Sequence, residues 1–262
     1  MNRKLILSIV IMLFAFALMA QNGVSIKSFE LQVLQLTNME RAKYGLKELK
    51  HDEGLADLAR RHSQNMHKHN FFAHKDIWGD EVGDRKRKYY PEMLVSSVGE
   101  NLGKFTNSCN AFKPEELVRG WMNSPGHREQ IMDSEYTHLG VGISVKNGVM
   151  YATQNFAAAL VKLYSPLPER LSTKDTYTLR FEYLCDLDKD FLGATLVYPN
   201  PKTKYRLSET EEMLGGQPLS IKWITDQILE LRVPFHAGRG NYKLCFGYAG
   251  GYFQEGIPLK VK

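Results

Sequence analysis

The chain changes character at Pro166 and Pro168, and that break constrains the fold more than any other feature. Before it, apolar residues recur first at helical spacing and then in alternation. After it, segment after segment alternates with a period of two. The sequence therefore predicts two architectures in series. Residues 26–162 read as helices packed on an antiparallel sheet, an α+β arrangement. Residues 170–262 read as an all-β sandwich of immunoglobulin-like type, with a barrel as the alternative. A length of 262 residues accommodates two such domains.

In the first half, residues 26–44 place Phe29, Val33 and Leu36 on one helical face, closed by Gly45. A second helix is predicted over 52–69 with Asp52 as its cap. Leu55, Leu58, Ala59, His62 and Met66 share its inner face, so His62 reads as a buried, hydrogen-bonded histidine. Residues 75–98 read as a long loop with one helical turn near 84–89. The run Arg85-Lys86-Arg87-Lys88 reads as solvated within it. Gly99-Glu100-Asn101-Leu102 reads as a tight connection. Pro114 opens a third helix over 114–122, with Leu117, Val118 and Trp121 inward. Ser124-Pro125-Gly126 then reads as a turn that aims His127, followed by a short helical piece over 128–132. Residues 139–145 and 149–156 form a hairpin about Asn147-Gly148. In the second half, strands are predicted over 177–187, 195–198, 219–223, 228–233, 242–246 and 257–261, and no catalytic motif stands out.

Residues 1–20 have the build of a secretory signal peptide: Arg3 and Lys4, an apolar stretch over 5–18, and Ala20 at the cut. That stretch is too short for a comfortable span, so no stable membrane span is expected after cleavage. Removing it leaves 32 basic against 29 acidic residues, a balance of +3. This is too mild to imply nucleic acid. Three cysteines, Cys109, Cys185 and Cys245, leave at least one thiol unpaired. Cys185 and Cys245 fall on opposite-facing strand positions, which argues against a bridge between them.

Several short pieces then stand in one order: Asn38-x-x-Arg41, Ala59-x-x-His62-Ser63-x-x-Met66, Phe71-Phe72-Ala73-His74, Gly99-Glu100-Asn101-Leu102, Trp121-x-x-Ser124-Pro125-Gly126-His127-Arg128, and Tyr151-x-Thr153-Gln154-x-Phe156. Together they resemble the CAP superfamily, the SCP or PR-1-like domain of cysteine-rich secretory proteins, antigen 5 and plant pathogenesis-related proteins. The Phe-Phe-Ala-His and Ser-Pro-Gly-His-Arg pieces resemble its bacterial branch. The likeness covers about residues 28–158. It implies an α-β-α sandwich with a surface cleft lined by two His and two Glu, which in some members hold zinc or another divalent ion. By motif, His74 and Glu100 match the first His and the first Glu. Ser124 stands where the second Glu would be and Tyr151 where the second His would be, and His127 is the natural substitute. Asn101, Trp121 and His62 are expected to support the site.

Two imidazoles and a carboxylate, His74, His127 and Glu100, could make a three-ligand zinc site with an open position. The same three could instead be a hydrogen-bonded knot between loops. No other nucleophile stands beside a base. The reading is thus an exported, non-enzymatic binding protein that uses the His/Glu cleft and the β-sandwich tail. Its ligand would be an extracellular lipid, glycan or protein. The alternative is a metal-dependent hydrolase acting on peptide or cell-wall substrate.

Overall fold

The structure, a computed structural model, describes residues 25–262, with the side chains of residues 252–254 left aside. The expected signal peptide, residues 1–20, lies outside the described residues. No helix among them is long and apolar enough to cross a membrane.

Helix α1 (Ile26–Ala42) starts where the Ser25 hydroxyl accepts the Ser28 N–H. A two-residue strand, β1 (Lys50–His51), precedes α2 (Glu53–His69). Asp52 caps α2 by accepting the Leu55 N–H at 2.9 Å, and Asn70 ends it in the left-handed region, φ 50°. Residues 75–98 depart from the expected loop. They contain a two-turn helix, α3 (Val82–Tyr89), and the start of a long strand, β2 (Met93–Thr106). Gly99-Glu100-Asn101-Leu102 is therefore the middle of a strand, not a tight connection. After α4 (Pro114–Met122) the Ser-Pro-Gly piece also departs from expectation. Ser124 is the cap and Pro125 the first residue of α5 (Pro125–Met132), so His127 sits in a helical first turn. Ser, Pro and Gly suit a tight turn and a helix start equally well, and here the helix wins.

Strands β3 (His138–Lys146) and β4 (Val149–Leu163) join through Asn147 and Gly148, both at positive φ, 51° and 73°. Strand β2 pairs with β4 on one side, and β3 pairs with it on the other. Alternate residues of β4 serve opposite layers. Met150, Ala152 and Phe156 pack under α1, α4 and α5 with Val33, Leu117 and Trp121. Tyr151, Ala157 and Ala159 pack on the α2 side with Leu55 and Met66. That is the α-β-α arrangement. Gly140 and Gly142 let α2 lie flat on β3, since a Cβ at either would collide with the α2 backbone at Ala56 and Arg60.

The second half is not a separate bead. Strand β4 runs past the expected Phe156 and pairs with β5 (Thr176–Tyr183), Val161 opposite Tyr183. Strands β11 (Ile228–Pro234) and β10 (Ile221–Trp223) then continue the same sheet. A four-stranded sheet faces this extension, in the order β13 (Gly251–Val261), β12 (Gly240–Tyr248), β6 (Leu192–Val197), β9 (Gly216–Leu219). Leu179, Phe181, Leu229 and Leu231 from one layer meet Leu196, Leu244, Phe246 and Leu259 from the other. A small hairpin, β7 (Lys204–Arg206) and β8 (Glu212–Leu214), stands apart. This is a two-layer β-sandwich, but its strand order departs from the immunoglobulin scheme. The second strand, β6, lies between β12 and β9, whereas that scheme sets it beside the first and fifth. The three thiols are free: Cys109 is exposed, Cys185 half-buried and Cys245 buried.

The halves also meet through charge. Lys86 on α3, 1% exposed, donates to Glu255 on β13 at 2.8 Å. The other Glu255 oxygen accepts the Val95 N–H at 3.3 Å. The run Arg85-Lys86-Arg87-Lys88 is thus not the expected solvated stretch, because Arg85 and Lys86 are buried. Helical spacing places both on the face that carries Val82, while Arg87 and Lys88 turn to water.

Candidate functional site

Strand β2 is an edge of the large sheet, since β4 is its one strand partner among the described residues. Consecutive strand residues point to opposite faces, so Glu100 and Asn101 deliver one polar group to each side of that edge.

On the α2 side, the Glu100 carboxylate is 3% exposed and fully engaged. Its Oε2 accepts from Arg85 Nη2, and its Oε1 accepts from His74 Nδ1 at 2.9 Å. Arg85 also donates to the main-chain oxygens of His74 at 2.9 Å and Asp80 at 2.7 Å. One guanidinium therefore compensates the buried carboxylate and clamps the loop that carries His74. His62 fixes the same loop from below: its Nε2 lies 3.0 Å from the Ala73 carbonyl, to which it donates. Burial lowers the pKa of His62. Asp76 accepts the N–H groups of Trp78 and Asp80 at 2.9 and 3.0 Å, making the loop a rigid turn. A carboxylate can only accept, so His74 Nδ1 carries the proton and Nε2 is left to the cleft. The hydrogen bond to Glu100 raises the His74 pKa above its ordinary 6.5.

On the α1 side, Asn101 Nδ2 donates to the His127 carbonyl at 3.0 Å and to Gln154 Oε1 at 3.1 Å. Gln154 Nε2 donates in turn to Thr37 Oγ1 at 2.9 Å, and Thr37 donates to Val33 O at 2.8 Å. A buried polar relay thus ties α1, β4, β2 and α5 together. Trp121 Nε1 donates to the Leu102 carbonyl at 2.9 Å. Gly99 admits the close approach of α5, since a Cβ there would collide with Gln130 and the Tyr136 hydroxyl. Partial burial, and then the nearby His74, lower the His127 pKa, so this ring is neutral at neutral pH.

The two sides meet over the edge of β2 in a cleft of about 580 Å³, lined by His74, Glu81, Val98, Glu100, His127 and Gln130 among others. A hollow of about 610 Å³ lies on the other face of α5, lined by Tyr44, Met122, Arg128 and Met132, and no imidazole reaches it. The cleft, and not the hollow, gathers the imidazoles. His74, Glu100 and His127 all border it, Asn101 holds its wall, and Trp121 and His62 brace it from behind.

The expected three-ligand zinc set is not drawn together in this arrangement. Among the described residues no three His, Cys, Asp or Glu side chains are grouped to hold a metal. Arg85 and His74 each bond one Glu100 oxygen, which commits the carboxylate to a buried ion pair and leaves His74 Nε2 open. The substituted positions add no ligand. Ser124 offers a neutral hydroxyl at the rim, and Tyr151 is 4% exposed, stacked edge-on against His67 at 4.6 Å on the α2 side. Ser63 is buried, with its hydroxyl committed to Gly142 O and Thr153, both at 2.9 Å. What the cleft can do is offer and accept hydrogen bonds through the His74 imidazole, held by Glu100, and the His127 imidazole across from it. Arg85 is the site residue that the sequence reading missed. The signal that could have found it is the helical phase of Val82, Arg85 and Lys86.

The profile of the cysteine-rich secretory protein family, CAP, matches residues 34–156. The uncharacterized protein YkwD of Bacillus subtilis (strain 168) is 38% identical over 130 residues, which is 50% of this chain and 48% of that protein. The uncharacterized membrane protein YlbC of the same strain is 38% identical over 127 residues, 48% of this chain and 34% of that protein. The chain thus spans about half the length of the first relative and a third of the second. A crystal structure of an SCP-domain extracellular protein from Bacillus anthracis str. Ames is 30% identical, with a TM-score of 0.44 over 50% of this chain and 40% of that one. With the motifs in order, the layers in place and the profile aligned to them, residues 34–156 are a bacterial-type CAP domain.

Proposed function

We propose that this is an exported, non-enzymatic binding protein whose CAP cleft holds a polar ligand outside the cytoplasm. The observation that carries the reading is the double engagement of Glu100 by Arg85 and His74. With each oxygen already accepting a bond, Glu100 serves the frame of the cleft, and among the described residues no activated nucleophile stands nearby. It does lock the His74 tautomer, which is what a recognition site needs. The walls of imidazole, amide and hydroxyl groups suit a hydrogen-bonding ligand and give a lipid chain little to pack on. The C-terminal sandwich buttresses the cleft through the shared sheet and the Lys86–Glu255 pair.

The test uses the purified protein with and without zinc. Cleavage of casein and of peptidoglycan is measured, together with the His74 and His127 ring resonances on addition of a short-peptide pool or of chitotetraose. Expected are no turnover under either condition, and ring shifts with one probe that vanish in His127→Ala. Zinc-dependent cleavage abolished by His74→Ala would overturn the proposal in favour of a hydrolase.

A further inference from the structure

We propose that the ligand is a short extended peptide that adds as a strand to the free edge of β2, through the main-chain N–H and C=O of Glu100. This rests on the cleft-binding reading and narrows it to one chemical class.

The orientation of that peptide group follows from the ladder. Lys50 N–H donates to Thr137 O at 2.9 Å and Asp52 N–H to Leu139 O at 3.3 Å. Odd-numbered residues of β3 at this end therefore turn their main-chain groups toward β1, and even-numbered ones toward β4. Gly140 stands opposite Asn155, so Asn155 spends its N–H and C=O on β3. Glu100 also stands opposite Asn155, across β4's other flank. In an antiparallel pair, when one residue is turned away from its partner the other is too. The Glu100 N–H and C=O thus point away from the sheet. Leu102, two residues on and in the same phase, agrees: its carbonyl is the one that Trp121 Nε1 reaches from outside. Among the described residues, no turn, cap or side chain bonds to the Glu100 main-chain groups.

Glu100 faces into the cleft, and its neighbours Val98, Gly99 and Asn101 line it as well. The trough has ends. Trp121 closes it at Leu102, and the register shift between Val95 and Ser97 breaks the strand at the other end. About four residues of straight edge remain, roughly 13 Å at strand rise. That length takes a peptide of four or five residues. Its side chains would alternate between the His74 and Glu81 wall and the His127 and Gln130 wall. A donor and an acceptor from one residue, spaced for a strand, match a peptide backbone. An acyl chain has neither group, and a saccharide does not repeat them at this spacing.

The experiment uses the full ¹⁵N-labelled protein and a synthetic pool of unstructured heptapeptides. The tightest member is then remade with a single N-methyl group at each position in turn. The expected result has two parts. Exchange of the Glu100 amide hydrogen slows at least about tenfold at saturation. N-methylation weakens binding about tenfold at the residue opposite Glu100, and much less at its immediate neighbours, which face outward. Binding that leaves Glu100 exchange unchanged, or N-methyl effects without alternation, would overturn strand addition. If no peptide binds at about 1 mM while chitotetraose moves the His74 and His127 resonances, the peptide proposal falls and the cleft reading stands. Silence toward both probes would remove both.

Discussion

Arg85→Met isolates the feature on which the cleft is built. The substitution keeps bulk and apolar stem but leaves the Glu100 carboxylate, 3% exposed, with His74 as its one remaining side-chain partner among the described residues. Removing one member of a buried ion pair typically costs about 3–5 kcal/mol. Two main-chain acceptors, His74 O and Asp80 O, lose their donor as well. For a chain of this size the loss corresponds to a fall in Tm of roughly 10 °C. The loss should also depend on pH. Arg85 depresses the His74 pKa in the wild type, so its removal lifts that pKa further above 6.5. A group raised in the folded state stabilises it below its unfolded pKa, and the contribution fades as pH rises through the folded value. Arg85→Met should therefore be milder at pH 5.5, where protonated His74 faces Glu100, than at pH 8. Adding Glu100→Gln to Arg85→Met removes the stranded charge and should recover a substantial part of the loss. Urea denaturation of the wild type and of both variants at the two pH values measures all of this. A loss below about 1 kcal/mol, or a double variant no more stable than Arg85→Met, would refute the argument.

Two further outcomes follow from the fold. His138 is 4% exposed and burial pushes its pKa down to about 4 from 6.5, so the folded state binds fewer protons in that interval. Its contribution is present above 6.5 and is lost as pH falls toward 4, amounting to roughly 3 kcal/mol. His138→Asn should flatten the acid limb of a stability-versus-pH curve, and an unchanged slope would contradict the assignment. A protease nick within residues 163–173 should leave the two pieces together in gel filtration, because β4 and β5 stay paired and Lys86 stays on Glu255. Release of two separately folded halves would speak against a continuous sheet.

What could be read in advance had local causes. Leu117, Val118 and Trp121 share a helical face, and Asn147-Gly148 is a hairpin signal, so α4 and the β3–β4 turn were legible. The motif order pointed to His74, Glu100 and His127 together. Glu100 itself was misplaced into a turn because β2 lacks apolar alternation where it matters. At the cleft both faces of the strand carry polar groups, Glu100 on one and Asn101 on the other. Arg85 and Lys86 looked solvated because their partners are 15 and 169 residues away. The helical phase shared with Val82 marks the inward face, but it does not say that the guanidinium is meant for Glu100 or the ammonium for Glu255. The position of β6 in the sandwich was hidden for the same reason, since strand neighbours are chosen across long separations.

Helix α3 buries two charged side chains and no apolar one. It hangs between anchors on either half of the molecule, Glu100 by way of Arg85 and Glu255 by way of Lys86. Anyone wishing to excise the N-terminal half as a minimal unit inherits an ammonium stripped of its carboxylate partner. Exchanging Lys86 for leucine or methionine would be the natural companion to such a truncation, letting the helix seat itself on oil instead of on a missing acid.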